Sequence, residues 1–154
     1  MERTLVIIKP DALQRGLVGR VMSYLEDKGL TLVGNKMMQL DDDLLHEHYA
    51  HLVDKPFFKG IADFMKSTPV VVQCWEGYEC VEVLRKLCGV TNSREAAPGT
   101  IRGDLGMSVQ SNLIHASDSI ETAEKEVPRF FKEEELFSYD KQNYEYIYAP
   151  DEKQ

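Results

Sequence analysis

Cysteine is scarce in this chain. Cys74, Cys80 and Cys88 are an odd number without C-x-x-C spacing, which argues against a disulfide framework and against a zinc site. Long apolar runs are missing as well. Leu5-Val6-Ile7-Ile8 is far too short for a signal or membrane span, and nothing approaches the roughly 18 apolar residues a spanning helix needs. No Pro/Ser linker, low-complexity segment or fixed-period repeat divides the chain. Neither glycine-rich phosphate motif occurs: there is no G-x-x-x-x-G-K-S/T and no G-x-G-x-x-G, and Gly16-Leu17-Val18-Gly19 merely leads into a helix. Positive charge is in deficit, with 18 Lys plus Arg against 26 Asp plus Glu, a net charge of −8. A net anion repels phosphate backbones at long range, so general nucleic-acid binding is not expected. Any anionic ligand must meet a local cluster of basic residues.

What remains is an ordinary globular balance, 43% hydrophobic and 29% charged over 154 residues. It suits one domain spanning 1–154, with a tail from 139 onward that is aromatic and then acidic. A soluble, reduced, cytoplasmic protein without a membrane partner is expected.

Thr4 to Lys9 reads as a buried strand stopped by Pro10. Asp11 is placed to cap the next helix, whose inner face is Leu17, Val21, Tyr24 and Leu25; Gly29 ends it. Leu30 to Gln39 reads as a second strand. Asp41 or Asp42 opens a helix with Leu44, Leu45, His48, Tyr49 and Leu52 on one face, and Phe57, Phe58, Ile61, Ala62 and Met65 form another. Val70 to Trp75 is the clearest strand, rich in β-branched residues. A helix through Val81, Leu84 and Cys88 closes at Gly89. From Gly89 to about Gln110 there is no usable periodicity, and Pro98, Gly99, Gly103 and Gly106 punctuate a long loop of the kind that is usually functional. Ser111 to Ala116 reads as a strand. Ser117 or Asp118 is expected to cap the last helix, Asp118 and Glu121 making a capping-box pair, with Ile120, Ala123 and Val127 inward. Strands separated by helix pairs, without steady βαβ alternation, indicate an α+β sandwich with a mostly antiparallel sheet.

Without a glycine cradle, side chains must hold any phosphate. The basic candidates are Lys9, Arg15, Lys55, Arg85, Arg94 and Arg102. Lys9, at a strand end, and Arg102, in the punctuated loop, depart furthest from ordinary solvated charges. In His46-Glu47-His48-Tyr49-Ala50-His51 the histidines do not converge, because His46 lies about 200° from the face shared by His48 and His51. A polar helix face is the expectation there, with Tyr49 in the core. His115 differs, lying between a strand and a capped helix, where the helix dipole favours anions. A capping or core histidine would explain it too. An imidazole can act as base, metal ligand or nucleophile. With cations nearby and no metal-binding pattern, a phosphate-accepting nucleophile is chemically coherent. A carboxylate would then hold the other ring nitrogen, and helical spacing prefers Glu126 over Glu121. Phe57-Phe58 reads as core before it reads as a base-stacking platform.

Asn112-Leu113-Ile114-His115-Ala116-Ser117-Asp118 resembles the active-site signature of the nucleoside diphosphate kinases, Asn-x-x-His-Gly/Ala-Ser-Asp. Lys9-Pro10-Asp11, Gln14-Arg15-Gly16-Leu17, His48-Tyr49, Lys55-Pro56-Phe57-Phe58, Trp75-Glu76-Gly77 and Pro98 through Asp104 are similar to further blocks of that family, in family order. The resemblance spans about residues 2–148. It implies a ferredoxin-like α+β sandwich with a four-stranded, mostly antiparallel sheet covered by helices. It also implies γ-phosphoryl exchange between nucleoside tri- and diphosphates, ATP among them, by a ping-pong route through phosphohistidine. By position, His115 would be the nucleophile through Nδ1, with Glu126 and Ser117 orienting its other nitrogen. Lys9 would contact the transferring phosphate and the sugar hydroxyls, and Tyr49 would sit beside the transferring group. Arg85, Thr91 and Arg102 would hold the diphosphate, Asn112 the ribose 3′ hydroxyl, and Phe57 and Val109 the base, by a clamp that reads no base edge. Mg²⁺ would be held mainly by the nucleotide phosphates, with no protein metal site. A homo-hexamer is implied as well.

Phosphoryl transfer needs positioning and neutralisation of equatorial oxygens, so a Lys, two Arg and Mg²⁺ are suitable equipment. Three departures stand out. Ala116 replaces the commoner Gly. Ser93 follows Thr91-Asn92 where the family commonly has Pro, losing a rigid turn. Pro128 is expected to kink or end the last helix just after Glu126. The tail resembles the longer ends of eukaryotic-type members. The alternative reading is a nucleotide-binding interaction or regulatory module with weak or no turnover. Retention of His115, Lys9, Arg85, Arg102, Asn112 and Glu126 together argues against it.

Overall fold

Alternation in the first strand sets the architecture. In a computed structural model describing residues 1–153, β1 spans Glu2–Ile8, beginning and ending slightly earlier than its apolar run suggests. Leu5 and Ile7 face one core, and Val6 and Ile8 face another. A strand apolar on both faces must lie inside a sheet covered on both sides. The order is β2-β3-β1-β4, with β2 at Thr31–Met38, β3 at Val70–Gly77 and β4 at Ile114–Ala116. All three pairings are antiparallel, from Glu2↔Gly77 to Ile8↔Val71 along β1 and β3, with Ile7↔His115 in the centre of the β1–β4 ladder. This is the ferredoxin-like sandwich.

The Leu5 face packs against α3 (Asp42–His48), α4 (Phe58–Lys66) and α7 (Ile120–Phe130). The Val6 face packs against α1 (Pro10–Gln14), α2 (Val18–Asp27), α5 (Cys80–Cys88) and α6 (Ile101–Leu105). Cys74, Cys80 and Cys88 are buried free thiols, and desolvation pushes them up to about 12, 12 and 11, so they are protonated and inert. No helix among the described residues is long and apolar enough to cross a membrane.

Several local expectations need correction. The loop from Gly89 is not structureless: Thr100 caps α6 by accepting the Gly103 N–H. Five residues are too short to show periodicity. The cap of α7 is Ser119, accepting from Thr122, and neither Ser117 nor Asp118. Lys9, not Asp11, occupies the cap position of α1, with Pro10 in its first turn. The strand expected from Ser111 starts only at Ile114, because Leu113 has φ +75° and leaves the extended region. Pro128 does not end α7, which continues to Phe130. Pro128 and Glu124 are both exposed, so water can satisfy the carbonyl that loses its donor. Ser93 is buried, and its N–H donates to the Ser108 carbonyl at 3.3 Å, a bond proline could not make.

The tail lies along the β2 edge. Phe137 N–H donates to Val33 O (2.8 Å), Tyr139 Oη to Leu32 O (2.7 Å) and Lys141 Nζ to Leu30 O (2.9 Å). Covering an edge in this way removes a template for unwanted strand pairing.

Candidate active site

The site begins with a strained residue. A non-glycine backbone at positive φ costs on the order of 1–3 kcal/mol and persists only where its surroundings hold it. Leu113 is fully buried and held on both sides. Its carbonyl accepts from Lys9 N–H (2.9 Å) and its N–H donates to Asp11 Oδ2 (3.0 Å). Burial pushes the Asp11 carboxyl up, and the Leu113 hydrogen bond opposes that. Arg102 fastens the flanking residues, donating from Nε to Asn112 O (3.3 Å) and from Nη2 to Ile114 O (2.6 Å). Its Nη1 reaches Gly89 O at 2.9 Å. Gly89 sits at φ +81°, and a Cβ there would strike Thr100, so α5 can close beside α6 only with glycine in that place. The strained turn delivers His115, on β4, to the mouth of the sheet.

His115 Nε2 lies 3.1 Å from Glu126 Oε2 and 3.4 Å from Oε1. A carboxylate only accepts, so Nε2 carries the proton and Nδ1 keeps its lone pair. Nδ1 has no partner among the described residues. Glu126 is buried. Burial pushes its carboxyl up, but hydrogen bonds from His115 and Ser117 outweigh that and leave it below its ordinary value. Ser117 is fully buried, and its Oγ also accepts the Leu5 N–H (3.2 Å), tying this network to β1.

Lys9, Arg102, Asn112 and Thr91 line the same broad cleft of about 1440 Å³ as His115 and Glu126, and Arg85 and Tyr49 join them. Lys9 Nζ donates to Asn112 Oδ1 (2.8 Å). Burial first, then the Arg102 charge, lowers its pKa to about 8. Asn112 Nδ2 braces the loop through Thr91 O (3.0 Å) and Val109 O (2.8 Å). Arg85 Nη1 donates to Asp118 O (2.8 Å). Burial, with the Glu126 charge behind it, pushes the Tyr49 phenol up to about 12, so it stays neutral. Phe57 and Val109 stand outside the cleft lining, 54% and 49% exposed, while Phe58 is buried. The aromatic pair therefore divides, one ring in the core and one at the surface. Gln110 Nε2 donates to Gly60 O (3.0 Å) and ties the Val109 loop to α4 beside Phe57. Arg15, Lys55 and Arg94 do not line the cleft. Arg15 and Arg94 brace the carbonyls of Leu105 and Met107.

His48 was missed by sequence reasoning. It is not on a polar face but buried, its ring centroid 4.6 Å from that of His115 and its Nδ1 3.3 Å from Glu126 Oε2. Burial, then the neighbouring His115, lowers its pKa to about 3, so this contact is not an ion pair near neutrality. Arg129 Nη1 donates to the same Nδ1 at 3.1 Å. His48, His115 and Glu126 could gather donor atoms on a soft cation, but the guanidinium beside them is a like charge. Helical spacing that put His48 on one face with Leu44, Leu45 and Leu52, and its pairing with Tyr49 in a family block, were the signals for His48. Asp11 was visible as part of a family block and as a helix cap but not as the partner of Leu113, and Arg129 carried no signal.

Cationic side chains around a carboxylate-held imidazole, on a ferredoxin-like sheet without a glycine loop, are the equipment of a phosphoryl-transfer enzyme. The nucleoside diphosphate kinase family model matches residues 2–136. A nucleoside diphosphate kinase of Parabacteroides distasonis is 57% identical over 152 residues, covering 99% of each chain. One from Pyrococcus horikoshii is 55% identical over 141 residues and 90% of each. The halophilic nucleoside diphosphate kinase of Halobacterium salinarum, solved with CDP, superposes with a TM-score of 0.93 at 46% identity, covering 96% of this chain and 98% of that one. This chain belongs to the nucleoside diphosphate kinase family. It is a phosphotransferase that moves the γ-phosphoryl of a nucleoside triphosphate to a nucleoside diphosphate, and enzymes of this kind generally need a divalent cation. The Parabacteroides match includes the tail, so a long C-terminal end is not confined to eukaryotic-type members.

Proposed function

We propose that the phosphoryl group passes through His115 in two half-reactions. The Nδ1 lone pair attacks the γ-phosphorus of a triphosphate, the bond to the bridging oxygen breaks, and the diphosphate leaves with that electron pair. A terminal phosphate oxygen of the incoming diphosphate then attacks the phosphohistidine, and the P–N electrons return to Nδ1. The observation that carries this is the 3.1 Å contact from His115 Nε2 to Glu126. It fixes the tautomer that leaves Nδ1 nucleophilic and steadies the charge the ring gains on phosphorylation.

Lys9 faces the transferring phosphate and the sugar hydroxyls, Tyr49 flanks it, and Arg85, Thr91 and Arg102 hold the remaining phosphates. Asn112 accepts the ribose 3′ hydroxyl. Phe57 and Val109 clamp the base by surface contact alone, which accepts any base. The divalent cation, Mg²⁺, would be held mainly by the nucleotide's phosphate oxygens and would supply charge neutralisation there. That fits Glu126, the cleft carboxylate beside His115, which is engaged by that ring and so is not free to hold a cation. The chain acts as one domain over 1–154, its tail from 139 strapped to β2. A homo-hexamer is the assembly that the family resemblance implies. Three protonated thiols suit a reducing cytoplasm.

Initial rates at varied ATP and GDP with Mg²⁺ test this mechanism. Parallel double-reciprocal lines are expected, with His115→Ala slower by roughly a thousandfold or more. Intersecting lines, or an active His115→Ala, would contradict it. A binding module without turnover is not favoured. Half-buried Lys9 is held at a cost in solvation that simple docking does not require.

A further inference from the structure

Two imidazoles compete for one carboxylate oxygen. His115 Nε2 is 3.1 Å from Glu126 Oε2, and His48 Nδ1 is 3.3 Å from the same atom. If both nitrogens carried protons, Glu126 would divide its hold between them. The nucleophile would then be less firmly kept in its Nε2–H form.

Arg129, one helical turn beyond Glu126 on α7, decides the competition. A guanidinium can only donate, and its Nη1 points at His48 Nδ1 from 3.1 Å. That nitrogen must therefore accept. The His48 proton goes to Nε2, which is buried without a hydrogen-bond partner. Leaving a buried N–H unpartnered is costly, so this tautomer is imposed by a neighbour and not chosen by His48. Glu47 Oε1 accepts from Arg129 Nε (3.2 Å) and holds the guanidinium in place.

We propose that Arg129 is a positioning residue that donates to His48 Nδ1, denies that nitrogen a proton, and so reserves the Glu126 carboxylate for His115. This rests on His115 being the nucleophile. The groups facing His48 are His115 from β4, Glu126 and Arg129 from α7, His51 from the turn after α3, and its neighbour Tyr49. Glu126 is the only anion among them, and without Arg129 it favours a proton on Nδ1.

The test uses the full-length protein with ¹⁵N-labelled histidine. Long-range ¹H–¹⁵N spectra near neutral pH read the tautomer of each ring, with no nucleotide present. Wild type is expected to hold His48 as Nε2–H. Arg129→Leu should shift it to Nδ1–H or imidazolium, and Arg129→Lys, which still donates, should restore it. In rapid-quench assays with Mg-ATP, Arg129→Leu should form phosphoenzyme about tenfold more slowly. The acid limb of its pH profile should move to higher pH, with ADP affinity kept within about twofold, as expected for a residue that acts through His48. Arg129→Lys should recover most of the rate. A His48 ring that stays Nε2–H in Arg129→Leu, or a rate and pH profile equal to wild type, overturns the proposal. A wild type that never labels overturns instead the assignment of His115 as nucleophile, and the nucleotide-free spectra tell the two failures apart.

Discussion

Lys9 is asked to be a cation in a place that disfavours cations. Burial and Arg102 hold its pKa near 8, so the empty site loses that charge as pH rises through about 8. Bound phosphate favours the protonated amine, and nucleotide binding should therefore take up a proton in that range. Calorimetry of ADP binding in buffers of different ionisation enthalpy should show this uptake above pH about 8, with affinity declining, and Lys9→Gln should show neither. His48 works in the opposite pH range. Its pKa is 6.5 when unperturbed and about 3 in the fold, so the unfolded chain binds a proton that the folded one refuses. Its contribution is complete above 6.5 and is lost progressively as pH falls toward 3, with a limiting slope of about 1.4 kcal/mol per pH unit. Urea titrations at stepped pH should find a shallower decline in His48→Gln; an equal slope in both proteins would mean that carboxylates alone govern acid unfolding. Neither residue pair could be read from the chain alone. His48 and Arg129 are 81 residues apart; helical spacing groups His48 with Leu44 and Leu45, but nothing local pairs it with Arg129.

At the scale of elements, caps and one proline mark where local signals held and where they failed. Asp41 does cap α3, accepting from Leu44 at 2.8 Å, and the apolar faces of α4 and α5 are buried as their spacing indicates. The short α6 was hidden because its order comes from Thr100 and from the close approach of Gly103 to Ala97, and not from an apolar stripe. Thr100→Ala should cost about 1 kcal/mol of stability. It should also raise the KM for nucleotide more than it lowers kcat, because Arg102 sits in the first turn of α6; a change in stability alone would separate that helix from the phosphate site. Pro128 is itself exposed in the last turn of α7, two residues past Glu126. Replacing it with Ala returns one helical hydrogen bond and gives up some rigidity of the unfolded chain, for a net gain of about 1 kcal/mol. Thermal melts should show a higher Tm with activity retained. A lower Tm would mean that the proline is needed to aim the chain toward Phe131.

For the whole molecule, the antiparallel α+β sandwich was legible because helix pairs separate the strands without steady βαβ alternation. The four-stranded ferredoxin-like arrangement came from the family resemblance, and the order β2-β3-β1-β4 from the structure, since pairing partners leave no trace in a single sequence. The same division holds for the site. Lys9, His115 and Glu126 were visible as chemistry, while their convergence depends on Leu113 being held at positive φ by residues far along the chain. In a protein of net charge −8, the cleft around His115 is locally balanced, lined by six Lys or Arg and six Asp or Glu side chains, so a polyanion meets less repulsion there than over the rest of the surface. The most direct measurement is incubation with γ-labelled ATP and Mg²⁺ in the absence of acceptor, followed by a GDP chase, for wild type and His115→Ala. Acid-labile, base-stable label on the wild type, released as GTP by the chase and absent from the variant, is the predicted result. A wild type that binds nucleotide and turns it over without ever carrying label would contradict the phosphohistidine route.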